Sequence, residues 1–376
     1  MMPQLDPLPL PAPGWLLWSL LTLTFVLHLV AMNLLLGGAI LAAVCRSRSR
    51  RSEGARKLAL LLPRALPTLV ATTVTFGVAA LLFLQVLYGR LFFTSAVLLA
   101  VPWLLVVPIL IAAYYGAYGW LSKAKTDRQV PAGGAWGLAL AFTAIAFIYA
   151  NVMGLLLRPH EFLERAQADA SGFGLALSDP TVLPRLLHVI AGSLAVAGLA
   201  LAWWGVVVRR RDRSLAGWMT THGVYWAAGA TIFNFLPGFW WLAALPREAL
   251  LGLLGQTPAA AAFFAIGIIA ALAGLGLLVP AAFAPDPGKL LAGASASLLI
   301  SVVLMVLVRD AVRTMALAPF GYRLTTWIEP QWGPIAIFIV LLVSSLGLVV
   351  WMVHKLVAAS GAPAAHAHEE LAGHGS

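Results

Sequence analysis

Charge is what this sequence has least of. Of 376 residues only 10% are Asp, Glu, Lys or Arg, against 61% hydrophobic residues and a mean hydropathy of +0.92. A soluble domain carries roughly 25% charged residues, and a chain this apolar cannot hide its surface in one core. The single cysteine, Cys45, leaves neither a disulfide framework nor a thiolate metal site. No phosphate-cradling Gly-rich loop, nucleophile elbow or HExxH motif occurs, which argues against nucleotide-driven transport and the common hydrolase classes. No paired carboxylates lie deep in one apolar run, so proton-driven transport also loses support. There is no internal repeat and no loop long enough for a soluble domain. The basic leader of a secretory signal is missing too, and the first apolar run is about twice as long as such a signal's core. It is expected to remain as an anchor.

What the sequence has is long apolar runs. A helix needs about 20 residues to cross the hydrocarbon, and runs of that kind lie near Trp15–Val44, Leu58–Gln85, Phe92–Trp120, Trp136–Leu157, Leu183–Val208, Trp218–Leu245, Pro258–Ala284, Leu290–Arg309 and Pro334–His354. They predict an all-α transmembrane bundle of about nine spans, a single domain over residues 1–357. The net charge of +10 does not point to nucleic acid, because the basic residues cluster in short loops. Arg46, Arg48, Arg50, Arg51, Arg56 and Lys57 follow the first run, Lys123, Lys125 and Arg128 the third, and Arg209, Arg210, Arg211 and Arg213 the fifth. Under the positive-inside rule these loops are cytoplasmic. The N-terminus and the 158–182 loop then fall outside and the C-terminus inside. Residues 358–376, small and polar with His366, His368 and His374, read as a disordered cytoplasmic tail.

An ionisable side chain within a span costs a few kcal/mol on insertion scales and needs a reason. His28 lies mid-run in TLTFVLHLVAMNLLLGG; it fits an axial ligand of haem iron, and equally a neutral imidazole bonded across helices. His188 lies about a turn and a half into the fifth run, followed by small residues that permit close approach of a helix or a macrocycle. It also reads as an interfacial histidine near Arg185. Asp310 and Arg313, three apart at the outer end of the eighth run, share a helix face and fit an interfacial ion pair, a proton path or a propionate contact. Asn33, Asn151 and Asn234 read as interhelical hydrogen-bond partners, and His160, His222 and His354 as interfacial.

The order of these features resembles the haem-carrying subunit I of cytochrome bd-type quinol oxidases. TFVLHLVAMNLLLGGAILAAV looks like that family's first helix, which implies that His28 is an axial haem ligand. Ala150, Asn151 and Met153 are similar to the Ala-Asn and Met of its fourth helix. LPRLLHVIAGSLAVAGLALAWWGVVVRRRD resembles its fifth, which implies that His188 ligates a low-spin haem b. Asp310 and Arg313 stand where the family has a haem-ligating Glu and, three residues on, an Arg. Other family features are missing: Pro258–Ala284 contains no Met, His or Cys, the stretch around Leu99–Val107 is apolar where the family has paired acids, and only about a dozen residues near Pro246–Pro258 replace its long outer quinol loop.

The resemblance implies a haem b-binding membrane subunit that passes electrons between quinone or quinol and a redox partner. His28, His188 and Met153 would bind the cofactor, and Asp310 and Arg313 would tune charge or protonation. It implies a bacterial or archaeal cytoplasmic membrane, lipid contact, and a second membrane subunit or cytochrome as partner, with no nucleic acid. A cofactor-poor scaffold of the same fold is the main alternative, and a solute transporter the third.

Overall fold

The computed structural model describes residues 9–361 other than 170, 323, 324 and 326. In hydrocarbon every backbone N–H and C=O must find its partner within the segment, so long apolar runs become helices. The long ones are α1 (Gly14–Arg48), α3 (Leu66–Leu98), α4 (Ala100–Lys125), α5 (Ala132–Leu155), α7 (Val182–Val208), α8 (Arg213–Ala243), α10 (Pro258–Ala281), α11 (Gly288–Leu317) and α12 (Trp332–Gly361). Short helices α2 (Glu53–Leu61), α6 (Phe162–Ala168) and α9 (Arg247–Leu251) lie between them. No strand occurs among the described residues; Leu10 and Ile328 form an isolated bridge. Eight of the long helices are both long and apolar enough to cross a membrane. The exception is α8, whose 31 residues include Thr220, Thr221, His222, Tyr225 and Asn234. It nevertheless packs along α7 for much of its length.

Several boundaries depart from the sequence expectation. Leu58 does not open the second span: residues 58–61 belong to α2, which Ser52 caps by accepting the Ala55 N–H, and Pro63 follows in a 3-10 turn. The second span instead runs on to Leu98, through the Gly89-Arg90 pair that reads as a loop. It is kinked at Tyr88 (φ −129°, ψ 25°). The Leu87 carbonyl beside the kink accepts the Tyr322 hydroxyl at 2.5 Å. At the chain's end α12 extends to Gly361; residues 362–376 of the expected tail lie outside the described residues.

The first helix is the hub. It packs against α3, α7, α5 and α11, while α7–α8 and α10–α11 form close pairs. The basic loops gather at one end of the bundle. There Arg46 donates to the Val130 carbonyl, Ser49 to Gln129 at 3.1 Å, Lys57 pairs with Asp212 at 2.9 Å, and Arg209 reaches the Pro285 carbonyl. The opposite end is closed by the 158–182 loop and by the segment before α1, whose Leu10 exchanges hydrogen bonds with the strip before α12.

Candidate functional site

Two of the five expected site residues, Asp310 and Arg313, lie where α1, α3 and α11 meet, and a third, His28, lies on the same side of α1 about three turns from Trp18. On α1, Trp18, Phe25 and His28 share one side of the helix at spacings of seven and three. Trp18 donates its indole N–H to Asp310 Oδ2 at 2.5 Å. The other carboxylate oxygen, Oδ1, accepts from Arg313 Nη1 at 2.8 Å. Arg313, buried, lies 4.7 Å above the Tyr88 ring, and Tyr88 stacks on Tyr322 at 5.6 Å. One turn before Arg313, the Arg309 guanidinium sits 4.2 Å over Phe25, whose ring is 6.3 Å from that of His28.

The eighth span does not end at Arg309. The helix continues to Leu317, about 12 Å beyond at 1.5 Å per residue, so Arg309, Asp310 and Arg313 are enclosed within the helix rather than at its tip. Arg309 was missed as a site residue for that reason: its charge marked the expected boundary. Among the described residues no carboxylate comes within 4.0 Å of it, the local Asp310 being committed to Trp18 and Arg313. A guanidinium enclosed among helices over an aromatic face, with no ion-pair partner among the described residues, is suited to an anion.

The His28 imidazole rests on Gly77 of α3, where an added Cβ would come within 2.8 Å of Nδ1 and Cε1. Its Nδ1 lies 3.0 Å from the Thr73 carbonyl oxygen. A carbonyl only accepts, so Nδ1 carries the proton and Nε2 keeps its lone pair; that is the arrangement that prepares an imidazole to ligate a metal. Nε2 takes no hydrogen bond among the described residues.

His188 is at a different place, on the α7 side facing α8. Its Nδ1 is buried and makes no hydrogen bond of good geometry, the Asn234 backbone lying beside the ring, and Asn234 Oδ1 on α8 is buried without a partner. Gly238 approaches the ring, where an added Cβ would be 3.3 Å from Nδ1, and Gly192 faces the Asn234 amide at 3.6 Å. The two glycines let α7 and α8 close tightly around these polar groups. Below them the small residues serve helix contact instead of a macrocycle: Cβ atoms on Gly198, Gly205 and Gly223 would fall 2.4–2.6 Å from atoms of the facing helix.

Met153 lies near the C-terminal end of α5. Its neighbour Gly154 faces Asp179 and Arg185 at the α7 side, while Met153 packs against the cluster of Leu17, Leu87, Phe92 and Leu155. Met305 is seated on Gly267 of α10. Asn33 accepts from Ser193 at 2.9 Å, and Asn151 holds the outer loop through the Ala176 N–H at 3.0 Å; both are structural links. Among the described residues no group of three or more His, Cys, Asp or Glu could hold a bare metal ion. The donor set is that of single axial imidazoles, and it fits haem iron.

No family model and no curated protein matches this sequence. In three dimensions the chain is similar to a chain in the structure of bd oxidase from Geobacillus thermodenitrificans. The TM-score is 0.68 at 12% sequence identity, over 94% of this chain and 99% of that one. At that identity the likeness is one of fold.

Proposed function

We propose that this chain is a haem b-carrying membrane subunit of a respiratory electron-transfer complex, passing electrons between quinone or quinol and a redox partner. The observation that carries the reading is His28, fixed by the Thr73 carbonyl as the tautomer with a free Nε2, in a fold similar to a bd oxidase chain. Bound haem would supply a one-electron couple. The chain's own residues do the rest. His28 Nε2 is oriented from behind by the Nδ1–H bond and from below by Gly77. Arg309 supplies positive charge for a propionate, while Asp310, held by Trp18 through its other oxygen, is the ion-pair partner of Arg313. His188, with its buried Nδ1 beside Gly238, is the second ligand candidate. The basic end of the bundle faces the cytoplasm, and quinol and the partner meet the protein at a membrane surface.

The cofactor-poor scaffold of the same fold is the alternative; Met153 packs among Leu17, Leu87, Phe92 and Leu155, and Met305 against Gly267. The two readings separate in the spectra of His28→Ala and His188→Ala. If each histidine is a ligand, each variant changes a different part of the wild-type reduced-minus-oxidised spectrum. Two variants with the wild-type spectrum would remove both from the site.

A further inference from the structure

At the basic end, the corner where α1 turns into α2 holds an open cleft of about 630 Å³, lined by Arg50, Arg51, Arg56, Leu60, Asp127 and Gln129 together with the start of α2. None of the three guanidiniums makes a hydrogen bond or ion pair among the described residues. Glu53, the acid on α2, is drawn away to Lys57 at 3.4 Å, and Lys57 in turn to Asp212. Three uncommitted cations therefore line the cleft with two carboxylates, Asp127 and the Lys57-paired Glu53. The frame beneath them is firm. Ala55, Leu58 and Ala59 of α2 are buried against Cys45 and Met219, and the Trp218 ring covers Gly54 so closely that a Cβ there would lie 2.5 Å from it.

We infer that this cleft binds the phosphodiester headgroup of an anionic phospholipid. These exposed arginines converge on one open depression instead of projecting separately into solvent. The shared chemistry, guanidinium with phosphate oxygens, would also suit free phosphate. Leu60 on the cleft wall and the place of α2 directly after α1, a helix long and apolar enough to cross a membrane, favour the lipid.

The test uses the whole purified chain in an uncharged detergent, with bound molecules counted by native mass spectrometry. Short-chain phosphatidylglycerol, short-chain phosphatidylcholine and inorganic phosphate are titrated separately. One phosphatidylglycerol per chain is expected at concentrations where phosphatidylcholine is not retained. Arg51→Gln with Arg56→Gln should weaken it about 30-fold, from about 5-fold per arginine. Arg210→Gln, at the same end but outside the cleft, should leave binding unchanged. If the double variant does not fold, Arg50→Gln alone should show the single-arginine loss. Equal binding of phosphatidylglycerol by wild type and variants, or equal retention of phosphatidylcholine, overturns the site. Inorganic phosphate bound as tightly as phosphatidylglycerol overturns the lipid assignment.

Discussion

At Gly77 a single methyl group would decide where His28 can be. The Cβ of Gly77→Ala would lie 2.8 Å from the imidazole, so the ring must swing away and give up its bond to the Thr73 carbonyl, worth about 1 kcal/mol. Alanine returns about the same amount in helix propensity, and overall stability should hardly move. The His28-dependent part of the spectrum should be lost or shifted, while the His188-dependent part stays. Asp310 gives the opposite signature. Asp310→Asn leaves the buried Arg313 without its counter-charge, a change that costs about 3–5 kcal/mol when the pair is fully buried. A clear fall in thermal midpoint by tryptophan fluorescence is expected. Adding Arg313→Met should recover part of it, because the stranded charge is then gone. His28, Asp310 and Arg313 stood out in the sequence because ionisable residues within apolar runs are rare. Arg309, Trp18 and Thr73 did not: Arg309 coincided with an expected boundary, Trp18 carries no charge to mark it within an apolar run, and Thr73 acts through a carbonyl that every residue has.

Helix pairs follow the same logic on a larger scale. Along the α7–α8 contact, a Cβ on Gly223 would be 2.4 Å from the Ala202 backbone nitrogen. Backbone cannot step aside, so Gly223→Ala should push the helices apart at a cost of about 1–3 kcal/mol. Gly229→Ala, on the same helix with nothing within 4 Å of its Cβ, should be harmless by the same thermal assay. At the basic end, α2 is tied to the start of α8 by Lys57 and Asp212. The Asp212 carboxyl is held below its ordinary value of 3.8 by the Leu215 N–H and then by Lys57. Its contribution is complete above that value and is lost as pH falls through the lowered one. Lys57 is raised above 10.5, chiefly by Asp212; its contribution is complete below that value and is lost as pH rises through the raised one. Thermal stability should be flat between these limits. Lys57→Met should remove the alkaline fall and soften the acid one, since the Leu215 bond remains. The small residues after His188 were visible in the sequence as a close-approach surface. Whether helix or macrocycle approached them was not, because that depends on which face α8 presents.

For the whole molecule, apolar runs were enough to give the all-α bundle, since the membrane leaves the backbone no alternative. They were not enough to place the second boundary, where the interfacial α2 borrowed Leu58–Leu61 from the apparent span and α3 carried Arg90 inside its length. The meeting of α1, α3 and α11 was also beyond reach, as Trp18 and Asp310 stand 292 positions apart and no local period records their contact. The orientation rests on the basic loops. A protease-cleavable tag at the N-terminus should be cut in intact spheroplasts and one at the C-terminus protected; the reverse pattern would invert the account. Its centre is the haem-bearing role, and the reduced-minus-oxidised absorbance spectrum of the purified wild-type chain tests it most directly. An α band of haem b is the predicted result. A folded, colourless and iron-free preparation would contradict it and leave the scaffold.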